Sequence, residues 1–247
     1  MKTKINAYID NIEYHANGLE DIIVVEKRLN NPKRDFLFVN KHQGKHIPTS
    51  PAKVQDLVEK LSKLIKAKHQ GIEDSETIVV GFCETATCLG ELIANSLGNK
   101  VVYLQTTREK LTSKKLFNFD EEHSHAVEQA IHISKELEQD NLLLRAKNVI
   151  FVDDEISTGN TIINFVNKFK QLAPNAMYIV ASVCNWQSKQ NKQRFRDNNI
   201  ESVALITGEC KKDTVKIEAQ SVDLKSSLQE QTKPQIVNLQ TRNIHDY

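Results

Sequence analysis

Hydrophobic and polar positions change along the chain in a way that predicts strands and helices in turn. Between residues 52 and 67 apolar residues recur at three- and four-residue spacing, which predicts an amphipathic helix over Ala52–Ala67. Later helices are predicted at Ala86–Leu97, Ala126–Ile133, Gly159–Gln171 and, as a polar candidate, Gln187–Asn198. Short apolar runs between them predict buried strands at Thr77–Val80, Lys100–Leu104, Asn148–Val152, Met177–Val183 and Ile200–Ile206. This alternation predicts an α/β fold with a doubly wound, mostly parallel sheet.

The pattern also divides the chain. Residues 1–50 hold strand-like runs at Ile22–Val25 and Phe36–Val39 before a stretch broken by glycine and proline, and we expect a small N-terminal segment there. Residues 51–208 form the predicted core. Residues 209–247 are rich in Lys, Gln, Ser and Thr, and we expect a partly disordered extension with at most one edge strand near 215–219. Residues 106–124 show no clear periodicity and predict a long, functional or mobile loop.

Composition excludes several classes of protein. The chain carries 33 basic and 32 acidic side chains, a formal net charge of +1, which argues against a dedicated nucleic-acid binder. No apolar run approaches the ~18 residues of a membrane span, and the first residues lack a signal peptide, so we expect no membrane segment and a cytoplasmic location.

The four cysteines form no CxxC pair. Glycine is scarce, at 8 of 247 residues, so each glycine is expected where the backbone requires it.

The most informative segment is Val149–Thr161, in which a buried strand delivers Asp153 and Asp154 to a turn of small, hydroxyl-bearing residues that opens a helix. A helix N-terminus presents free N–H groups and a partial positive charge, so this turn is typical of a phosphate site. The acids need another partner, either sugar hydroxyls or a divalent metal. Together these features indicate a sugar phosphate, whereas the plain alternative is an ordinary N-cap beside two solvated acids.

Other phosphate and metal motifs are absent from the sequence. Gly44-Lys45 is followed by His46 and lacks the upstream glycine of a P-loop, and no GxGxxG occurs. The acidic run also lacks the ligand spacing of a calcium loop.

The Val149–Thr161 segment resembles the ribose-phosphate motif of type I phosphoribosyltransferases. More narrowly, the chain resembles the orotate-phosphoribosyltransferase-like proteins of tellurite-resistance-type gene clusters. The stretches that carry this second resemblance are Phe36–Lys41 with His46–Pro48, Gly81–Ala86, Thr106–Arg108 and Glu121–Ala126.

The resemblance implies a Mg²⁺-dependent enzyme that moves a 5-phosphoribosyl group between phosphoribosyl pyrophosphate (PRPP) and a nitrogenous base, with pyrophosphate as leaving group. Asp153 and Asp154 would contact the ribose hydroxyls and Mg²⁺, directly or through water, and Arg108 and His125 would complete the catalytic set. The 5′-phosphate would bind Ser157, Thr158, Gly159, Asn160 and Thr161. Pyrophosphate would bind the loop Gly81, Phe82, Cys83, Glu84 and Thr85, in which family members often carry a strained non-proline peptide bond.

The resemblance further implies that the N-terminal segment is a hood for the acceptor base, with Lys41 and His46 as its polar contacts. Residues 109–125 would be a mobile catalytic loop with Lys110, Lys114 and Lys115 as pyrophosphate contacts. His123 and His125 fit a metal, an acid/base or a structural role. Cys88 stands where a small residue is expected.

Two functions remain open on the sequence. One is the enzyme, and the other is a non-catalytic PRPP- or nucleotide-binding subunit of a regulatory or assembly kind. The expected partners are small molecules, namely PRPP and a base that the sequence does not identify, with no nucleic acid and no membrane. A homodimer is expected from the resemblance alone.

Overall fold

Strands and helices alternate through the residues that the computed structural model describes, which are 9–14, 22–27, 36–72, 76–119 and 129–210. The strands are β1 (Ile9–Tyr14), β2 (Ile23–Lys27), β3 (Phe36–Asn40), β4 (Thr77–Gly81), β5 (Val102–Thr107), β6 (Lys114–Phe119), β7 (Gln129–Ile133), β8 (Asn148–Ile156), β9 (Met177–Asn185) and β10 (Ile200–Cys210). The helices are α1 (Pro51–Lys68), α2 (Thr87–Leu97), α3 (Lys135–Gln139), α4 (Leu142–Arg145), α5 (Asn160–Phe169) and α6 (Lys189–Asp197).

The main sheet has eight strands in the order β1-β10-β9-β8-β4-β5-β7-β6. Its central strands, from β10 to β5, pair in parallel, whereas β1, β7 and β6 pair antiparallel at the two sides. The predicted mostly parallel α/β sheet is therefore confirmed. Strands β2 and β3 form a separate two-stranded antiparallel sheet.

The part of the chain after β5 differs from the prediction. A helix over Ala126–Ile133 was wrong, because Gln129–Ile133 is strand β7, in which alternate residues are buried. The loop predicted over residues 106–124 was also wrong in part, because β5 continues to Thr107 and Lys114–Phe119 is strand β6. Both strands are set by antiparallel pairing with a neighbour, which a local sequence pattern does not contain.

The two ends of the described chain add to the main sheet. Strand β1 pairs with β10, so among the strands described before residue 50 the small separate sheet consists of β2 and β3. Strand β10 runs to Cys210, past the predicted start of the extension at residue 209. Residues 211–247, with the edge strand expected near 215–219, lie outside the described residues, and the domain limits stay predictions.

An aromatic cluster fills the core between the sheet and α5. The ring of Phe165 lies 4.7 Å from Phe119, 5.1 Å from Phe82 and 5.3 Å from Phe151, each edge-to-face. Because Phe82 directly follows β4, this cluster anchors the start of the loop after that strand.

The parallel strands all end at the same edge of the sheet, where ligands of doubly wound folds bind. Gly81, Thr107, Ile156 and Asn185 end β4, β5, β8 and β9 there. Within the described ranges, no helix combines the length and apolar character needed to cross a membrane.

Candidate functional site

A cavity of about 330 Å³ lies at this edge of the sheet. It is lined by Leu37, Phe38, Lys45 and His46 from β3 and the turn after it, by Phe82, Cys83 and Thr85 after β4, and by residues 153–162. The cavity therefore brings together three segments that the sequence singled out. A larger groove of about 690 Å³ lies around Lys170, Tyr178 and Arg196, and none of the predicted site residues lines it.

The acid pair lies at the end of β8, after the fully buried run Val149–Val152. Adjacent strand residues ordinarily face opposite sides of a sheet, yet both Asp153 and Asp154 line the cavity. The Asp154 N–H donates to Asp153 Oδ1 at 2.9 Å, which turns the first carboxylate towards its neighbour. Burial, and then the Asp154 carboxylate, raise the pKa of Asp153 well above its usual value. A cation or hydroxyl donors placed here would relieve that repulsion.

Gly159 sits where no other residue fits without strain. It is the N-cap of α5, with φ +77°, in the left-handed region that favours glycine. A Cβ at this position would lie 2.4 Å from Phe195 Cε1 and 2.8 Å from Gln187 Nε2. Both neighbours are buried, so this approach of the loop to α6 requires glycine.

The loop of residues 157–161 offers hydrogen-bond donors to the cavity. Among the described residues, no acceptor takes the backbone N–H groups of Ser157, Thr158 or Gly159. Asn160 is held from the side, because Arg194 Nη1 donates to its Oδ1 at 2.5 Å. Free amides at the N-terminus of a ten-residue helix are suited to an anion, because the helix dipole adds partial positive charge.

The loop of residues 81–85 offers a second set of donors. The N–H of Phe82 donates to Val152 O at 3.3 Å, and that of Cys83 donates to Thr106 Oγ1 at 2.8 Å. The N–H groups of Glu84 and Thr85 have no acceptor in the described part of the chain. The Cys83–Glu84 peptide bond is cis, in the loop where the resemblance implied an unusual peptide bond.

Glycines also set the packing behind this loop. A Cβ on Gly81 would lie 2.6 Å from Tyr103 Oη and 2.8 Å from Ala86 O, and a Cβ on Gly90 would lie 2.9 Å from Gly81 Cα. Helix α2 thus approaches β4 through a glycine pair. Cys88 is exposed, so its departure from the family pattern does not affect this contact.

Arg108 lies beside the loop of residues 81–85 and not in the cavity lining. Its Nη1 donates to Glu84 Oε1 at 2.9 Å, and the Glu84 side chain is 79% exposed. Of the lysines predicted for pyrophosphate, Lys114 pairs with Glu138 of α3, and Lys110 and Lys115 are exposed outside the lining. His123 and His125 lie outside the described residues.

On the β3 side, the structure places His46 in the lining and Lys41 outside it. Lys45, which the sequence presented only as part of an incomplete P-loop, lines the cavity instead. Burial, and then Lys45, lower the pKa of His46 below its usual value, with Asp154 acting in the opposite direction. His46 is therefore a neutral imidazole near pH 7 and can donate or accept a hydrogen bond.

The donor set fits Mg²⁺ that arrives with a phosphate-bearing ligand. Within the described ranges, no group of three or more His, Cys, Asp or Glu side chains is arranged to hold a metal ion. Mg²⁺ commonly binds through one or two carboxylates together with substrate phosphates and water. Asp153 and Asp154 supply carboxylates of that kind, and the two loops supply places for phosphates.

Comparison with known proteins agrees with this geometry. The sequence model of a family described as phosphoribosyl transferase matches residues 24–209. No curated protein sequence matches the chain.

Solved structures of adenine phosphoribosyltransferases share the fold. Adenine phosphoribosyltransferase from Leishmania donovani is 12% identical with a TM-score of 0.54, over 76% of this chain and 78% of that one. The Leishmania tarentolae enzyme is 13% identical with a TM-score of 0.51, over 76% and 84%. The Saccharomyces cerevisiae enzyme, complexed with an iminoaltritol bisphosphate and adenine, is 16% identical with a TM-score of 0.50, over 74% and 94%.

Proposed function

The chain belongs to the phosphoribosyl transferase family and is therefore a glycosyltransferase of the pentosyltransferase kind, and from this premise we propose a Mg²⁺-dependent reaction between PRPP and a nitrogenous base. The observation that carries the proposal is the single cavity lined by the acid pair and by both loops with free amides. A bound PRPP has a phosphate, a ribose and a pyrophosphate, and the cavity has a matching group for each.

In the proposed reaction, the amides of loop 157–161 hold the 5′-phosphate. The carboxylates of Asp153 and Asp154 accept hydrogen bonds from the ribose hydroxyls, and they oppose the positive charge that develops on the ring as the C1–oxygen bond breaks. That bond's electron pair leaves with pyrophosphate, and a base nitrogen forms the new bond to C1 and releases its proton, which the pyrophosphate or water takes up. The N–H groups of Glu84 and Thr85 bind the leaving pyrophosphate. Mg²⁺, when bound, supplies further positive charge to the leaving group.

We place the acceptor base against the β3 side of the cavity. Leu37 and Phe38 give that side an apolar surface, and Phe38 is backed by Trp186 with ring centroids 4.8 Å apart. A flat heterocycle suits such a surface, and His46 and Lys45 supply polar contacts at its rim. The narrower proposal of a tellurite-cluster type of enzyme rests on the sequence resemblance of Phe36–Lys41 and Gly81–Ala86, and both stretches contribute residues to the cavity lining.

The test is a screen of bases with PRPP and Mg²⁺, scored by pyrophosphate release, with adenine and orotate in the panel. We expect release with at least one base, and we expect the double variant Asp153→Asn/Asp154→Asn to abolish it while the melting temperature is retained. Asp140→Asn is the matched control, since Asp140 is an exposed carboxylate paired with Arg145 outside the cavity lining.

The outcomes separate the alternatives. PRPP binding without pyrophosphate release for any base would support a non-catalytic binding subunit. Absence of PRPP binding in the presence of Mg²⁺ would overturn both functions.

A further inference from the structure

Three buried residues with polar groups, one from the loop of residues 81–85 and two from separate strands, form a hydrogen-bonded unit. Cys83 belongs to the loop, Thr106 lies in β5 and Gln129 begins β7. Thr106 and Gln129 are each 1% exposed, and Cys83 is 8% exposed. The Thr106 hydroxyl donates to Gln129 Oε1 at 2.8 Å, so the two residues form one hydrogen-bonded unit.

This unit binds every polar group of Cys83. The Cys83 N–H donates to Thr106 Oγ1 at 2.8 Å, and the thiol donates to Gln129 Oε1 at 3.0 Å. Gln129 Nε2 in turn donates to the Cys83 carbonyl at 3.5 Å. Cys83 is therefore held on its backbone and on its side chain, from the side of the loop that faces β5 and β7.

The next residues of the loop are the ones with unused donors. The N–H groups of Glu84 and Thr85 donate to no acceptor within the described ranges. Gln43 Nε2 donates to Thr85 O at 2.5 Å, which fixes the far side of the same stretch. The direction of the two free N–H groups is thus determined by bonds at Cys83 and at Thr85.

A buried amide at position 129 is costly unless it is fully hydrogen-bonded. Its neighbours Phe119 and Ile131 are buried apolar side chains, so packing alone favours an apolar residue here. The presence of Gln129 at this buried position is explained by the hydrogen bonds of its side chain to Cys83, in the loop of residues 81–85.

We propose that Gln129 is a positioning residue for pyrophosphate: through Thr106 and Cys83 it orients the free N–H groups of Glu84 and Thr85. The proposal rests on the proposed function, in which these amides bind the leaving group. It assigns no chemical step to Gln129, which lies outside the cavity lining.

The test measures the binding of inorganic pyrophosphate with Mg²⁺ and, separately, of ribose 5-phosphate, by calorimetry on the full chain. Gln129→Met keeps the length of the side chain and removes both hydrogen-bonding atoms. We expect it to weaken pyrophosphate binding about tenfold, while ribose 5-phosphate binding, which uses loop 157–161, changes less than about twofold.

Thr106 supplies a second pair of variants. Thr106→Val is isosteric and removes the acceptor of the Cys83 N–H, and we expect the same selective loss. Thr106→Ser keeps the hydroxyl and should restore pyrophosphate binding. If Gln129→Met does not fold, the comparison of Thr106→Val with Thr106→Ser tests the proposal in its place.

Thr77→Val is the matched control. Thr77 is as buried as Thr106, but its hydroxyl accepts from Asn148 Nδ2 at 3.1 Å at the opposite end of the sheet. The Thr77→Val variant should be less stable than the wild type, with unchanged binding of pyrophosphate and of ribose 5-phosphate.

The proposal is overturned if Gln129→Met or Thr106→Val binds pyrophosphate like the wild type, or loses both ligands to the same extent. Failure of the wild-type chain to bind either ligand would instead overturn the proposed function.

Discussion

Replacing Gly159 by alanine tests whether the 5′-phosphate site depends on the close approach of its loop to α6. Two separate costs are expected. The left-handed backbone, with φ +77°, costs a residue with a Cβ about 1–2 kcal/mol. The new methyl group would also lie 2.4 Å from Phe195 Cε1 and 2.7 Å from its Cζ. Overpacking of this kind costs about 1–3 kcal/mol.

Phe195 is 2% exposed and has little room to move, so the loop is expected to shift instead. We therefore expect Gly159→Ala to lower the free energy of unfolding by about 2–5 kcal/mol, the sum of the two costs. For a chain of this size, each kcal/mol lowers the melting temperature by about 2–4 °C. Binding of ribose 5-phosphate should weaken by about tenfold or more, because the free amides leave their positions.

The chain offers a control that separates the two costs. Gly71 has nearly the same backbone conformation, with φ +72°, but nothing lies within 4 Å of its added Cβ. Gly71→Ala should therefore show only the backbone cost of about 1–2 kcal/mol and leave ligand binding unchanged. Chemical denaturation gives the stability differences, and calorimetry gives the ribose 5-phosphate affinity.

A double-mutant cycle with Phe195→Leu isolates the clash. Gly159→Ala should cost less in the Phe195→Leu background, because the ring atoms that it would meet are gone. The reasoning is refuted if Gly159→Ala is no more destabilising than Gly71→Ala, or if it binds ribose 5-phosphate like the wild type.

Three further predictions follow from the same geometry. Burial raises the pKa of Tyr178 to about 12, so the native state keeps a proton that the unfolded state loses above its ordinary value of 10.0. The contribution of Tyr178 to stability should be complete below about pH 10 and fall by up to about 3 kcal/mol as the pH rises from about 10 to about 12, measured by denaturation at each pH. Gly81→Ala should displace the Tyr103 hydroxyl and destabilise the fold by about 1–3 kcal/mol, with weaker pyrophosphate binding by calorimetry. The imidazole of His46 should titrate, by NMR, with a pKa below 6.5, and Lys45→Met should raise that pKa.

Each of these three predictions has a control variant or an outcome that would contradict it. Tyr178→Phe lacks this titrating phenol and should reduce the alkaline slope, while the remaining slope comes from Tyr103, whose pKa burial also raises. An unchanged slope would assign it to groups other than Tyr178. Tyr103→Phe removes the atom nearest to the Gly81 substituent and should recover part of the lost stability. A His46 pKa above its usual value would show that Asp154, and not burial, dominates its environment.

The segment from β8 to α5 could be predicted because its signals are contiguous. Four apolar residues, two acids and a Thr-Gly-x-Thr turn occur in this order within residues 149–161, and each has a local physical meaning. The structure places residues 153–161 of this run along one cavity. The requirement for glycine at position 159 is different, because it comes from Phe195 and Gln187, which are distant in sequence.

The unit of Cys83, Thr106 and Gln129 could not be predicted, because its members come together only when β5 and β7 pair. Gln129 stands among helix-forming residues, and its strand is set by partners on β5 and β6. The hood residues show the same limit. The sequence does not distinguish Lys41 from Lys45, because both are lysines next to the predicted hood strand. The conformation of the turn between them places Lys45, and not Lys41, in the cavity lining.

The free amides of Glu84 and Thr85 in one loop, and of Ser157, Thr158 and Gly159 in the other, also allow ligand binding to be followed on the protein itself. Backbone N–H groups without an acceptor exchange their hydrogen with solvent quickly, and a bound anion protects them. Hydrogen–deuterium exchange read separately for the two loops would therefore tell which end of a ligand is bound. That reading requires no knowledge of the acceptor base, and it applies equally to a catalyst and to a sensor.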